Sequence, residues 1–227
     1  AKRHGRRLDL PKAAARCVDM PTDEAKAAPE SIGDKFARTA GLRYVGARFS
    51  NYRTPSDEHV RAVNLVRQYV KNWPEHEARG QNLVLVGPCG GGKDHLLVAA
   101  GREIADTFGL RPRFVYGADI YARARGPEWL DVVAKYGETP LLIISDPAGA
   151  ASTLAPGAAD VLYRLANARN RALLPTWVSI NAKCPDHAIE RLGAPTVDRL
   201  RDGARVVPLV VPSYRKPLND DLGEPLE

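Results

Sequence analysis

The feature that most constrains the fold is a glycine-rich segment at residues 87–94, with the sequence Gly-Pro-Cys-Gly-Gly-Gly-Lys-Asp. A buried-type apolar run at 82–86 leads directly into it, and a helical pattern at 94–108 follows it. The spacing G-x-x-x-x-G-K between a strand and a helix is typical of loops that bind phosphate groups. Glycines let successive backbone N–H groups point inward, and the following helix presents the positive end of its dipole to the same anion.

The loop predicts ATP as the bound nucleotide, with Lys93 reaching the β- and γ-phosphates. The position after this lysine is usually Ser or Thr, whose hydroxyl binds Mg²⁺, but here it is Asp94. A carboxylate is a good Mg²⁺ ligand, yet it brings negative charge close to the triphosphate and would weaken nucleotide binding without the metal. The predicted nucleotide-binding residues are Gly87, Pro88, Cys89, Gly90, Gly91, Gly92, Lys93, Asp94 and His95.

The rest of the chain alternates between short apolar runs and helical patterns. The apolar runs lie at 82–86, 113–116, 141–144 and 176–180, with a further one at 206–211, and the helical patterns lie at 56–72, 94–108, 118–135 and 158–172. This alternation predicts an α/β fold, in which a parallel sheet of about five strands is flanked by helices. We expect a flexible basic N-terminal arm with one or two short helices (1–40), one nucleotide-binding domain (41–216) and an acidic C-terminal tail (217–227).

A second acidic segment, 141–146, consists of four apolar residues followed by Ser145 and Asp146. Ligands bind at the carboxyl edge of such sheets, where a Walker B strand usually ends in an Asp that binds Mg²⁺ and then in an acid that polarises water. Here Ser145 takes the first place and Asp146, the candidate base, the second. The predicted metal ligands are therefore Asp94, Ser145 and Asp146. Either Asp94 and Ser145 have exchanged the usual hydroxyl and carboxylate roles, or both positions drifted after hydrolysis stopped mattering.

Composition narrows the class of partner. The formal net charge is +6 and the pI is near 9.3, which favours an anionic partner such as nucleic acid. No apolar run approaches the roughly 18 residues needed to span a bilayer. Three scattered cysteines fit a reducing compartment. We therefore expect a cytoplasmic protein without a membrane partner.

With both Walker segments placed, the chain resembles the DnaC/IstB group of AAA+ ATPases, which comprises bacterial helicase loaders and transposition helper ATPases. The resemblance covers about residues 44–216 and depends on several short segments in the same order. These are Phe49-Ser50-Asn51-Tyr52-Arg53, Gly92-Lys93-Asp94-His95-Leu96, Val161-Leu162-Tyr163, Glu190-Arg191-Leu192-Gly193, Asp198-Arg199-Leu200 and Ser213-Tyr214-Arg215.

The resemblance implies an AAA+ P-loop NTPase whose catalytic residues are Lys93, Asp146, Asn181, Arg199 and Arg215. Asn181 would be the first sensor, which positions water or touches the γ-phosphate. Arg199 would be an arginine finger that reaches a neighbouring subunit's nucleotide, which implies a homo-oligomer, and Arg215 a second sensor in its own subunit. Surface salt bridges are the alternative for both arginines.

By the same resemblance, residues 117–136 would face single-stranded DNA. Aromatic and basic side chains together suit base stacking and phosphate contact. The alternative is an amphipathic helix that buries Trp129. The candidate contacts are Tyr121, Arg123, Arg125, Trp129, Lys135 and Tyr136.

The function expected first is a replicative helicase loader that uses ATP as an assembly switch, with slow or impaired hydrolysis. A transposition helper that partners a transposase is the second expectation, because the same ATPase core serves both. A hypothesis from another class is a non-hydrolysing structural module that only binds nucleotide or DNA, for which Asp94 and Ser145 are the support.

Overall fold

The computed structural model describes residues 29–124, 126, 129–149 and 153–215. Within them lies one parallel sheet, and its strands in chain order are β1 (Leu83–Gly87), β2 (Arg113–Tyr116), β3 (Leu142–Ser145), β4 (Thr176–Asn181) and β5 (Arg205–Pro208). The spatial order is β2-β3-β4-β1-β5, and every neighbouring pair is parallel. The prediction of an α/β fold with about five parallel strands is confirmed. The carboxyl ends of β1 and β4 lie next to each other, since Gly87 pairs with Asn181.

Helices cover both faces of the sheet. In the described residues they are α1 (Ile32–Thr39), α2 (Asp57–Lys71), α3 (Trp73–Ala78), α4 (Lys93–Phe108), α5 (Gly117–Arg123), α6 (Trp129–Gly137), α7 (Pro156–Arg171), α8 (Pro185–Leu192) and α9 (Ala194–Arg201). Helices α1 to α4 contribute to one apolar core and α5 to α9 to the other. Leu83 and Leu85 of β1 point into the first core and Val84 into the second, because side chains alternate along a strand. None of these helices combines the length and apolar character needed to cross a bilayer.

The single helix predicted at 118–135 is wrong. The structure has α5 ending at Arg123 and α6 beginning at Trp129. Between them the sequence carries Gly126 followed by Pro127. A proline disfavours helical backbone at the residue before it and lacks the N–H that the helix needs, which explains why one helical pattern becomes two helices.

The predicted boundary between a flexible arm and the domain needs correction at residues 29–40. Helix α1 lies in this stretch, begins with Ser31 Oγ accepting from the N–H of Asp34 at 3.0 Å, and buries Phe36 in the first core. A buried Arg102 on α4 forms an ion pair with Asp34. An apolar face and a partly buried ion pair therefore fix α1 to α4. Residues 1–28 and 216–227, which include most of the predicted arm and the acidic tail, lie outside the described residues.

Arg169 on α7 is fully buried and links several elements around the second core. Its guanidinium donates to the carbonyls of Tyr136 (2.7 Å), Thr139 (2.6 Å) and Pro175 (2.6 Å) and to the hydroxyl of Thr176 (2.9 Å). Burial lowers the pKa of Arg169 to about 9, so the group remains charged at neutral pH. These bonds connect the end of α6, the turn before β3 and the start of β4 to one helix.

Replacement of Arg169 by alanine is expected to lower the free energy of unfolding by about 3 kcal/mol, because several buried carbonyls lose their donor at once. Chemical denaturation of the purified chain measures this. Arg171→Ala, an exposed change in the same helix, serves as the control and should cost at most ~1 kcal/mol. Equal effects of the two substitutions would contradict the structural role given to Arg169.

Candidate functional site

The glycine-rich segment has the backbone that a phosphate-binding loop requires. Strand β1 ends at Gly87, a turn follows, and α4 begins at Lys93, so the predicted strand–loop–helix arrangement is confirmed. Gly90 and Gly92 have φ angles of 83° and 84°, in the left-handed region that favours glycine. A Cβ on Gly92 would lie 2.9 Å from Tyr52 Oη, so the position also lacks space for a side chain.

Two segments that are distant in sequence hold this loop from outside. Tyr52 Oη donates to the carbonyl of Gly91 at 3.2 Å, and the N–H of Tyr214 donates to the carbonyl of Gly90 at 3.0 Å. The two tyrosine rings meet edge to face at 6.5 Å between centroids. The loop is thus fixed between the segment before α2 and the segment after β5.

Lys93 lies at the floor of the loop and is 6% exposed. Its Nζ donates to the carbonyls of Gly87 at 2.9 Å and Pro88 at 2.7 Å. Burial lowers the pKa of this lysine, and the charge of Asp94 opposes the shift. The structure therefore places one ammonium group, partly stripped of water, against the carbonyls at the start of the loop.

Asp94 connects the first turn of α4 to the ends of two strands. Its Oδ1 accepts from Ser179 Oγ at 2.6 Å and its Oδ2 from Ser145 Oγ at 2.9 Å, with Tyr44 Oη a weaker donor at 3.4 Å. Ser145 and Ser179 are adjacent in the β3–β4 register. The carboxylate and the hydroxyl that depart from the usual Walker residues are therefore in direct contact.

Asp146 follows β3 and begins a turn at the carboxyl edge of the sheet. Its φ is 40°, its N–H donates to the carbonyl of Ser179 at 3.0 Å, and its own carbonyl accepts from Gly149 at 2.9 Å. Burial raises the pKa of Asp146, while a hydrogen bond from the Asn181 side chain and the positive charge of Arg191 lower it. Since Asn181 contacts this carboxyl group, the predicted first sensor and the predicted base lie side by side.

Arg191 is a site residue to which the sequence analysis assigned no role of its own. It is 7% exposed, projects from α8, and donates to the carbonyls of Asn181 and, at 2.7 Å, Gly149. Its Nη1 also lies 3.7 Å from Asp146 Oδ1. Arg191 therefore fixes the turn after β3 against the end of β4. In the sequence it is part of the segment Glu190-Arg191-Leu192-Gly193 that carries the family resemblance.

A cavity of about 770 Å³ contains most of the predicted site residues. Those that line it are Cys89, Gly90, Gly92, Lys93, Asp94, His95, Ser145, Asp146, Asn181 and Arg215. Other lining residues, among them Tyr44, Tyr52, Tyr116 and Ser179, were not among the predicted site residues. These residues belong to segments that are distant in sequence and meet only in the folded chain, so no single motif contains them all. The volume is in the range of about 300–1,000 Å³ common for ligand sites.

Arg199 does not line this cavity. It lies on α9 with 37% of its side chain exposed, and its guanidinium donates to Asn167 Oδ1 at 3.3 Å and to Asp198 Oδ2 at 3.1 Å. The structure thus separates it from Lys93 and Asp94 within the subunit and leaves it accessible at the surface.

The candidate DNA residues divide into buried and exposed groups. Tyr136 is 3% exposed and part of the second core, so the prediction that it contacts DNA is wrong. Tyr121 is partly buried, with its hydroxyl enclosed. Arg123 and Lys135 are exposed, and the remaining ring, Trp129, has the guanidinium of Arg164 5.1 Å from its centroid. Arg125 lies outside the described residues.

The chemistry of the cavity floor fits a hard divalent cation. Asp94, Ser145 and Asp146 all line it and offer only oxygen atoms, the donors that Mg²⁺ prefers. Among the described residues no group of three or more His, Cys, Asp or Glu side chains forms a cage. A Mg²⁺ ion at this floor would therefore depend on the ligand's own oxygens for part of its coordination, as is usual where phosphates are bound.

The chain was compared with known proteins at the level of sequence. No family model matches it. A protein of Sinorhizobium fredii named as an insertion sequence ATP-binding protein is 34% identical over 149 residues. The match covers 61% of this chain and 48% of that protein, so the chain spans about half the length of this relative.

Solved structures share the fold. The DnaC helicase loader has a TM-score of 0.65 at 22% identity, over 74% of this chain and 99% of its own. DnaI has a TM-score of 0.61 at 22% identity, over 74% and 90%. The replication initiator DnaA bound to AMPPCP and single-stranded DNA has a TM-score of 0.59 at 16% identity, over 74% and 50%. The chain therefore shares its fold with the DnaC helicase loader, DnaI and DnaA, and the predicted resemblance to the DnaC/IstB group is confirmed.

Replacement of Gly92 by alanine is expected to lower the free energy of unfolding by about 1–3 kcal/mol, because a side chain in the left-handed region also collides with Tyr52. Gly157→Ala is the matched control: residue 157 lies in α7 and nothing lies within 4 Å of its added Cβ. That change should stabilise the chain slightly, by about 0.4–1 kcal/mol. Urea unfolding of both variants without nucleotide measures the difference, and a neutral Gly92→Ala would refute the loop geometry.

Proposed function

We propose that the chain is an ATP-binding AAA+ module that acts on DNA as a transposition helper, with ATP as a switch for assembly and slow hydrolysis. The observation that carries this is the single cavity that unites the glycine loop, Lys93, the Asp94–Ser145 pair and Asp146. Loop amides would surround the β-phosphate, and the Lys93 ammonium would exchange its loop carbonyls for phosphate oxygens.

The cavity floor supplies groups for a slow hydrolytic step. Asp94, Ser145 and Asp146 would hold Mg²⁺, which when bound neutralises phosphate charge. Asp146 would accept the proton of the attacking water, and Asn181, already bonded to it, would orient that water. Burial raises the pKa of this carboxyl group, which favours a proton acceptor, whereas Arg191, 3.7 Å away, stabilises the ionised form and opposes that shift.

Two arginines would contact bound nucleotide, Arg215 in its own subunit and Arg199 in a neighbouring one. Arg215 lines the cavity and adds positive charge near Lys93, which suits a sensor within the same subunit. Arg199 is exposed and remote from its own cavity, which suits a finger that reaches the nucleotide of a neighbour. On this proposal the site is completed only in a homo-oligomer.

Transposition is preferred because the Sinorhizobium fredii relative at 34% identity is named for an insertion sequence. Helicase loading, the role expected first from the sequence, shares the fold, and fold likeness at 22% identity does not separate the two. A helper that marks target DNA should bind duplex in an ATP-dependent way, whereas a loader should prefer a single strand. Fluorescence anisotropy with matched duplex and single-stranded probes at two salt concentrations tests this. ATP-dependent preference for the single strand would favour loading instead.

Lys93→Ala is expected to weaken ATP binding by about 10-fold to 100-fold, the effect of losing one charge-assisted hydrogen bond. Titration of a fluorescent ATP analogue with Mg²⁺ present gives the dissociation constants. Lys135→Ala, an exposed change on α6, is the control and should bind like the parent chain. If the parent chain binds no adenine nucleotide at any metal concentration, the proposed function is wrong. Binding without turnover at any oligomeric state would favour the non-hydrolysing module.

Arg199→Ala is expected to bind ATP normally but to lose ATP-dependent assembly, because the finger would act on a neighbour's nucleotide. Sedimentation velocity with and without ATP measures assembly. Arg201→Ala, an exposed change in the same last turn of α9, is the control. Normal assembly of the Arg199 variant would reassign this arginine to the surface bonds that it makes with Asn167 and Asp198.

A further inference from the structure

Asp94 has an unusual charge environment for a carboxylate on the floor of a phosphate site. Its two oxygens accept from the hydroxyls of Ser179 and Ser145, both of which are 2% exposed. In the described part of the chain, no ion pair includes this carboxylate. The neighbouring Lys93 directs its ammonium to loop carbonyls. Two hydroxyl donors and the start of α4 therefore hold the charge, and among the described residues no cationic side chain pairs with it directly.

The position of the carboxylate is fixed from three sides. It belongs to the first turn of α4, while Ser145 ends β3 and Ser179 lies beside it on β4. Rotation away from the cavity would break both short hydrogen bonds and leave two buried hydroxyls without their acceptor. A triphosphate held by the loop would thus meet a negative charge that does not move aside.

We propose that Asp94 makes nucleotide binding by this chain conditional on a divalent cation, an inference that rests on the proposed function. A Ser or Thr at this position would offer the metal an oxygen without adding charge. The carboxylate instead repels the bare triphosphate and attracts the cation, so each ligand improves the site for the other. By linkage, the factor by which the cation strengthens nucleotide binding equals the factor by which nucleotide strengthens cation binding.

The experiment measures four dissociation constants for a fluorescent ATP analogue: the parent chain and Asp94→Asn, each in EDTA and in Mg²⁺. We expect Mg²⁺ to strengthen binding to the parent chain on the order of 100-fold, the effect of one unit charge about 5 Å away at an effective dielectric of about 20. In Asp94→Asn, metal-free binding should become at least about tenfold tighter, and the enhancement by Mg²⁺ should fall to about tenfold or less.

Two further variants keep the result interpretable. Asp94→Ser supplies a hydroxyl and should also bind nucleotide without metal, which guards against a folding defect specific to asparagine. Asp186→Asn removes an exposed carboxylate on α8 that does not line the cavity, and it should retain the parent's dependence on the cation. Thermal unfolding of each variant checks that the fold persists.

A reciprocal measurement uses Mn²⁺ alone as the probe, with its free concentration followed by electron paramagnetic resonance. Nucleotide should tighten Mn²⁺ binding to the parent chain by the same factor that Mn²⁺ tightens nucleotide binding. Equal metal-free affinity of the parent chain and Asp94→Asn would overturn the inference while leaving ATP binding intact. Loss of nucleotide binding in every chain and condition would instead defeat the proposed function itself.

Discussion

The hydrogen bonds of one carboxylate fix the geometry on which the cavity depends. Asp94 joins the start of α4 to Ser145 on β3 and to Ser179 on β4, so the helix and two strands meet at a single group. The glycine loop leads directly into α4 at Lys93, so the start of this helix also sets the orientation of the loop. A change in the position of this carboxylate would therefore move the loop, the lysine and the strand ends together.

This arrangement concentrates buried charge at one edge of the sheet. Lys93 bonds to the carbonyl that ends β1, Asp146 directly follows β3, and Arg191 bonds to the carbonyl that ends β4. Charges removed from water are stable only when nearby dipoles or opposite charges replace the lost hydration. Backbone carbonyls provide that replacement for the two cations, and Arg191 provides it for the carboxylate of Asp146.

The sequence predicted what depends on local patterns. The glycine loop and the four buried runs follow from strand spacing and the G-x-x-x-x-G-K pattern, whereas Asn181 was named only through the family resemblance. In the structure Asn181 lies beside Asp146 because the carboxyl ends of parallel strands share one edge. The docking of α1 escaped prediction because it depends on an ion pair between Asp34 and Arg102, which is far along the chain. Tyr136 was mistaken for a DNA contact because an aromatic residue in an amphipathic pattern fits a core equally well.

The backbone after β3 also explains which acid stands at position 146. A φ of 40° is tolerated by aspartate and asparagine, whose short polar side chains suit the left-handed region, and is costly for longer residues. Glutamate would have to bear that strain. A change from aspartate to glutamate at position 146 would therefore require a different backbone conformation in the turn from Asp146 to Gly149. The backbone conformation, and not only the chemistry of the carboxyl group, limits which residues this position accepts.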